Sequence, residues 1–331
     1  AQMAGIFGAA LALTVPEIAE KLGGQVVFFA TPAEEYGEIE FKNQLREQGK
    51  IRYGGGKCEL IRTGAFDDID LCLAHHIQPG DEIQVGSGTG NGFVSKVIRY
   101  LGKAAHAAGA PDKGVNALSA ASLGLQALGL NRETFRDEDC VRIHPIITKG
   151  GNLVNVIPDE IVIETLVRAK TIEAFTDAAK KTDRSFQAGA VAMGAKVEIT
   201  TLPGYLPTLA EQALPELKRA AELAAPEVPV REAAGHSGGS TDVGDVQHLM
   251  PVYTFNTGGV KGGLHQINFE VTNEEEAYID TAKMFALAAY GLLKEKAARS
   301  KELVKNYKPV FKDSAEYTKF MEQFDSKEVL D

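Results

Sequence analysis

The sequence predicts an α/β fold interrupted by a ferredoxin-like α+β insert. Three observations carry this. Apolar runs at 26–30 and 69–74 alternate with helical patterns in the first third of the chain, as strands covered on both faces do. A glycine-rich stretch at 86–92 marks a boundary. Beyond it the patterns run β-α-β-β-α-β as far as Leu202, and α/β character then returns.

The elements follow in order. A helix runs through Leu13, and a short one after Pro16 ends at Leu22. The run at 26–30 reads as a buried strand that ends at Thr31-Pro32-Ala33-Glu34-Glu35. An amphipathic helix covers 39–48, and a strand over 69–74 ends at His75-His76. The glycines of 86–92 miss the G-x-G-x-x-G spacing, because Asn91 stands where the third belongs, so the stretch reads as a hinge. In the insert, 94–101 is a strand, 116–130 a helix, 141–148 and 157–169 strands, 172–193 a helix and 196–202 a strand. Then come an amphipathic segment over 209–225, a strand at 251–256 and a long helix over 274–296 capped at Thr272-Asn273. The boundaries read as 1–90 and 203–298 for the two parts of the α/β domain and 91–202 for the insert. A charged, aromatic-bearing tail occupies 299–331.

Composition narrows the function. A length of 331 residues allows one large domain or two ordinary ones, and 44% hydrophobic with 24% charged residues is globular composition. A net charge of −10 disfavours a nucleic-acid partner. No apolar run reaches the roughly 18 residues of a membrane span. Three scattered cysteines suggest neither a disulfide framework nor a zinc ribbon, which fits a cytoplasmic setting.

Adjacent carboxylates after an apolar run are poor core residues, because an unpaired buried charge is costly. They suit a cleft where one binds a metal and the other moves protons. His76 and His265 lie in what read as further strand-end loops, where open α/β sheets bind ligands. Carboxylate and imidazole suit zinc, and also manganese or cobalt. A lone histidine is more often structural, and His75, His144 and His248 read that way, with His144 inside a strand. Gly235-His236-Ser237-Gly238-Gly239 satisfies G-x-S-x-G, but the strand before and helix after that a nucleophilic serine needs are not evident, so Ser237 as a serine-hydrolase nucleophile is the weak alternative.

Eight ordered motifs carry a resemblance. They are Thr-Pro-Ala-Glu-Glu at 31–35, Gly-Gly-Gly-Lys at 54–57, Gly-Ala-Phe-Asp-Asp-Ile-Asp at 64–70 and His-Ile-Gln-Pro-Gly at 76–80. Then follow Gly-Lys-Ala-Ala-His-Ala at 102–107, Gly-Val-Asn-Ala-Leu at 114–118, Asn-Val-Ile-Pro-Asp at 155–159 and Ser-Thr-Asp-Val-Gly-Asp at 240–245. Together they resemble the aminoacylase and glutamate-carboxypeptidase family of metal-dependent amidohydrolases, in the branch of the aminobenzoyl-glutamate hydrolases and Xaa-Arg dipeptidases. The resemblance implies a zinc-peptidase-like α/β domain, interrupted by an insert that is both lid and homodimerisation domain. It implies two divalent metal ions, zinc foremost, and a small N-acyl amino acid or dipeptide substrate. It makes Glu34 the general base, and Glu35, His76 and His265 metal ligands. His106 would reach into the partner's site as an oxyanion donor. Asn155, and by a looser match Arg168, would hold the substrate carboxylate.

One family feature is missing. The branch's Cys-Gly-His metal motif would fall just upstream of Ala1, leaving three ligands for two metals. The expectation is a chain whose opening segment lies outside this sequence. The alternative is a family member that keeps the fold without catalysis and acts as a binding or scaffold protein.

Overall fold

The computed structural model describes residues 2–330, apart from the side chains of Gln2 and Ala4. The chain opens with helices α1 (Gln2–Ala12), α2 (Pro16–Ala19), α3 (Ile39–Glu47) and α4 (Gly56–Arg62). Strands β1 (Cys72–Ile77), β2 (Ile83–Val85), β3 (Thr89–Gly90) and β4 (Gly92–Leu101) lead into helix α5 (Ala117–Leu130). There follow β5 (Arg142–Ile143), β6 (Ile146–Lys149), β7 (Glu160–Ala169), α6 (Ile172–Met193) and β8 (Lys196–Pro203). Next are α7 (Pro215–Ala224), β9 (Val230–Glu232), β10 (His236–Ser237), α8 (Val243–Gln247), β11 (Val252–Thr257), β12 (Val260–Lys261) and β13 (Glu270–Val271). The chain closes with α9 (Thr281–Asn306), α10 (Ser314–Met321) and β14 (Ser326–Leu330).

Two sheets organise the fold. The smaller has the order β1-β11-β2-β9, with β1 and β11 parallel. Its apolar face packs on α7 and α9 through Ile83, Val85, Leu217, Phe255, Met284 and Phe285. The larger has the order β14-β8-β4-β7-β5, with β6 also pairing β7. Residues 161, 163, 165, 167 and 169 of β7 are buried and those between them are not, the period of a sheet with one face on helices. That face meets α5 and α6 around Tyr100, Ile161, Ile163 and Phe186. Local signals set the helix ends. The Asn116 side chain accepts from Leu118 and Ser119 N–H, the Thr171 hydroxyl accepts from Ala174 N–H, and Gly194 ends α6 at a φ of 63°. No helix among the described residues is long and apolar enough to cross a membrane.

Several elements differ from expectation. Residues 26–30 are not a strand. They have no partner in a ladder, and Phe28 and Phe29 instead face Phe7 and Phe66 with ring centroids 5.3 and 4.3 Å apart. The run is not buried either, since Val27 and Ala30 are exposed and Val26, Phe28 and Phe29 are only partly covered. Strand β1 starts three residues later than the pattern suggests and carries His75 and His76 inside it. The stretch at 141–148 breaks into β5 and β6, leaving His144 between them. The long C-terminal helix begins as π-helix at Glu275–Asp280, is broken at 294–297 and continues to Asn306. The tail packs through Phe311, Tyr317, Met321 and Phe324, and β14 adds an antiparallel edge to β8.

Candidate active site

Glu34 and Glu35 sit on a turn, not at a strand end. Ala33 takes a φ of 52°, left-handed backbone that a non-glycine residue adopts at a cost. Gly56 lets this turn approach α4, since a Cβ there would stand 1.7 Å from the Pro32 carbonyl oxygen. The two carboxylates have different partners. Half-buried Glu34 accepts a 3.0 Å hydrogen bond from the Thr241 hydroxyl at Oε1. Its main-chain carbonyl accepts from the Tyr205 hydroxyl. Glu35 points to solvent, with Oε1 3.8 Å from His265 Nε2. His265 also has left-handed backbone, at a φ of 62°.

The Glu35–His265 separation is near the ~3.3 Å between two ligands on one tetrahedral zinc, so the pair fits a shared ion in chemistry and spacing. His76 does not join it. No group of three His, Cys, Asp or Glu side chains suited to a metal comes together among the described residues. His76 projects outward from β1, while His75, on the opposite face, lies against Phe255 and Phe285 with Nε2 2.7 Å from Thr257 Oγ1. Burial, with the neighbouring His76, pulls His75 down to about 3, so it is a neutral core residue. His248 is likewise buried, with Nδ1 2.8 Å from the Gly244 carbonyl oxygen. A hollow of about 340 Å³ adjoins the loop before His265, lined by Pro79, Asp81, Lys261 and Glu276 among others, but not by Glu34, Glu35 or His265.

The loop at 240–242 ties the neighbourhood together. Ser240 Oγ accepts from Arg168 Nη1 at 3.3 Å, Thr241 reaches Glu34, and fully buried Asp242 is held by Lys57. Arg168 is half-buried over the Phe93 ring, 5.5 Å from its centroid, and its Nε is out of water with no hydrogen-bond partner among the described residues. Burial pulls its pKa down, and the charge of Glu35 opposes this. His106 and Asn155 form a separate group. The Ala107 N–H donates to the Asn155 carbonyl at 2.9 Å. His106 Nδ1 accepts from Ala108 and Gly109 N–H, which puts the ring proton on exposed Nε2. No hydrogen bond or ion pair joins this group to Glu34, Glu35 or His265 among the described residues.

Ser237 lies in the two-residue strand β10, no helix starts until Val243, and its Oγ accepts from Gly239 N–H. The adjacent His236 is engaged with Thr89 and Asn91. Neither arrangement activates a serine nucleophile. The roles of Thr241, Asp242 and Lys57 were not read from the sequence, although both motifs that contain them stood out there.

Peptidase family M20/M25/M40 matches residues 1–290. The Xaa-Arg dipeptidase of Mus musculus is 28% identical over 262 residues, covering 77% of this chain. The chain spans 57% of that enzyme's length. Among solved structures, the aminobenzoyl-glutamate utilization protein of Klebsiella pneumoniae superposes with a TM-score of 0.60 at 19% identity, over 87% of this chain and 66% of that one. A dinuclear-metal-binding M20 peptidase of Bacillus subtilis superposes with a TM-score of 0.56 at 22% identity, over 87% of this chain and 70% of that one.

Proposed function

Because the chain belongs to peptidase family M20/M25/M40, we propose that it hydrolyses the amide bond of an N-acyl amino acid or dipeptide with a free carboxylate. One observation carries the assignment of roles. Two carboxylates adjacent in sequence have separate partners, Glu34 a hydroxyl donor and Glu35 an imidazole. The first arrangement suits a proton carrier and the second a metal ligand.

Glu35 and His265 hold one divalent cation in this reading and His76 serves a second, with zinc foremost and manganese or cobalt also suited. A cation there supplies Lewis acidity and a more acidic water. The chain's own residues do the rest. Glu34 takes the proton of the attacking water and delivers it to the leaving amine. The His106 Nε2–H donates to the developing oxyanion, reaching the site of a partner subunit. Arg168 and Asn155 take the substrate carboxylate, the Arg168 guanidinium supplying charge-assisted donors. The insert over 91–202 serves as lid and as homodimer contact, and a cytoplasmic setting suits the scattered cysteines.

The test is hydrolysis of p-aminobenzoyl-glutamate and of an Xaa-Arg dipeptide by the full chain with added zinc or manganese, and by Glu34→Gln. The expected result is turnover abolished by a chelator, restored by metal and lost in the variant. Turnover that survives both the chelator and the substitution overturns the reading.

A further inference from the structure

Glu34 and Glu35 differ in how firmly their carboxylates are held. The Glu35 side chain is 75% exposed and accepts no hydrogen bond at its carboxylate among the described residues. Glu34 is gripped at both ends, its carbonyl by Tyr205 and its carboxylate by Thr241. The Val243 N–H points at Thr241 Oγ1 from 3.4 Å, which leaves the hydroxyl proton directed at Glu34 Oε1. Threonine suits the task, because its branched Cβ restricts χ1.

The residue after Thr241 explains why the hydroxyl stays there. The Asp242 side chain is fully buried, with Oδ1 2.5 Å from Lys57 Nζ and Oδ2 3.1 Å from the Lys57 N–H. A two-point clasp between a buried carboxylate and one lysine fixes the loop against the start of α4. That helix start is also bound to the Glu34 turn, since the Gly56 N–H donates to the Ala33 carbonyl at 3.2 Å. Lys57, Asp242, Thr241 and Glu34 thus form a closed ring of contacts through two backbones.

We propose that Thr241 is the positioning residue for the Glu34 carboxylate and that the Lys57–Asp242 pair holds Thr241 for this purpose. The proposal rests on Glu34 being the base. Thr241 touches neither substrate nor metal in this scheme. It acts by restricting Glu34 to one rotamer, which matters because small misplacements of a reacting group are costly in rate.

The experiment compares wild type, Thr241→Val, Thr241→Ser and Glu34→Gln as full chains. Kinetics use p-aminobenzoyl-glutamate with added zinc, and metal-free crystals report the Glu34 rotamer. Thr241→Val keeps the shape without the hydroxyl and should still fold, melting within a few degrees of wild type. It is expected to lower kcat by about 10- to 100-fold with KM little changed, as loss of a hydrogen bond to a charged group implies. Thr241→Ser should recover most of that loss. Glu34 should keep its rotamer in wild type and Thr241→Ser, and turn away or split in Thr241→Val. Wild-type turnover in Thr241→Val, with Glu34 unmoved, overturns the proposal. If Glu34→Gln hydrolyses normally, the base assignment falls instead, and the crystals alone then decide whether Thr241 positions Glu34.

Discussion

Asp245 should make this protein less stable as pH rises through neutrality, and Asp245→Asn should remove that loss. The carboxyl is fully buried at the start of α8. Tyr317 donates to it at 2.8 Å and the Leu206 N–H approaches both oxygens at 3.3 Å. Burial pushes its pKa from 3.8 up to about 8, against the Tyr317 hydrogen bond and helped by the charge of Asp242. The folded chain therefore holds a proton that the unfolded chain has released. Stability from this group is complete below the ordinary value and is lost as pH rises towards 8. Between pH 6 and 8 the loss is about 2 kcal/mol, slightly less than 1.4 kcal/mol per unit because the folded group begins to ionise. Asparagine keeps an oxygen for Tyr317 and Leu206 and has nothing to titrate. Urea unfolding of both proteins at pH 6, 7 and 8 measures the difference, and other titrating groups cancel between them. The two stabilities should diverge by about 2 kcal/mol across that range. Curves that stay parallel would refute a protonated Asp245.

On the acid side, burial holds His75 down to about 3. Its stability contribution is lost as pH falls below about 6.5, and His75→Gln should flatten unfolding free energy between pH 6.5 and 5 by about 2 kcal/mol. Lys57→Met strands a buried carboxylate and should destabilise the protein by about 3–5 kcal/mol in urea melts, with Asp242→Asn in the same chain recovering part of it. His265→Asn and Glu35→Gln should each weaken zinc binding by tenfold or more in a competition titration. Equal zinc affinity in all three proteins would separate the Glu35–His265 pair from metal binding.

The helices between 91 and 202 are legible because they carry their own punctuation. The bounds of α6 were readable from Thr171 and Gly194, a cap and a left-handed terminus written at fixed positions. The start of α5 was equally readable from Asn116. Residues 26–30 misled because an apolar run by itself secures neither burial nor pairing: Val27 and Ala30 are exposed and the run joins no ladder. Strand β14 was unreadable for the converse reason. Its pattern, Ser-Lys-Glu-Val-Leu, is mostly exposed, and it is a strand because the edge of β8 offers Thr201 to Val197 as partners. Within the site, local motifs singled out Glu34, Glu35 and His265. The contacts of Thr241 with Glu34 and of Asp242 with Lys57 span about 200 residues, and no local spacing encodes them.

The tail adds a constraint on how the two sheets move. Two connections between them are expected in a chain with one insert, and they lie near 86–92 and 203–208. The tail makes a third. Its Val310 and Phe311 N–H groups donate to the His248 carbonyl beside α8, and Tyr53 on the way into α4 donates to the Thr318 carbonyl at 3.2 Å. Tyr317 reaches Asp245, which also takes the Leu206 N–H of the returning connection. Five residues later than α10, β14 joins the larger sheet. Any closure of the larger sheet over Glu34 must carry this segment or bend it between Met321 and Ser326. Among the described residues the charged clamps along that bend are Arg46 with Asp325 and Arg52 with both Glu322 and Asp325; they are partly solvated, and such pairs contribute little to stability. The apolar packing of Phe311, Tyr317, Phe320 and Phe324 is the stronger restraint. The tail therefore ties the larger sheet to the smaller at a third point, and a lid motion of the kind proposed has to preserve or bend this apolar packing rather than break a charged clamp.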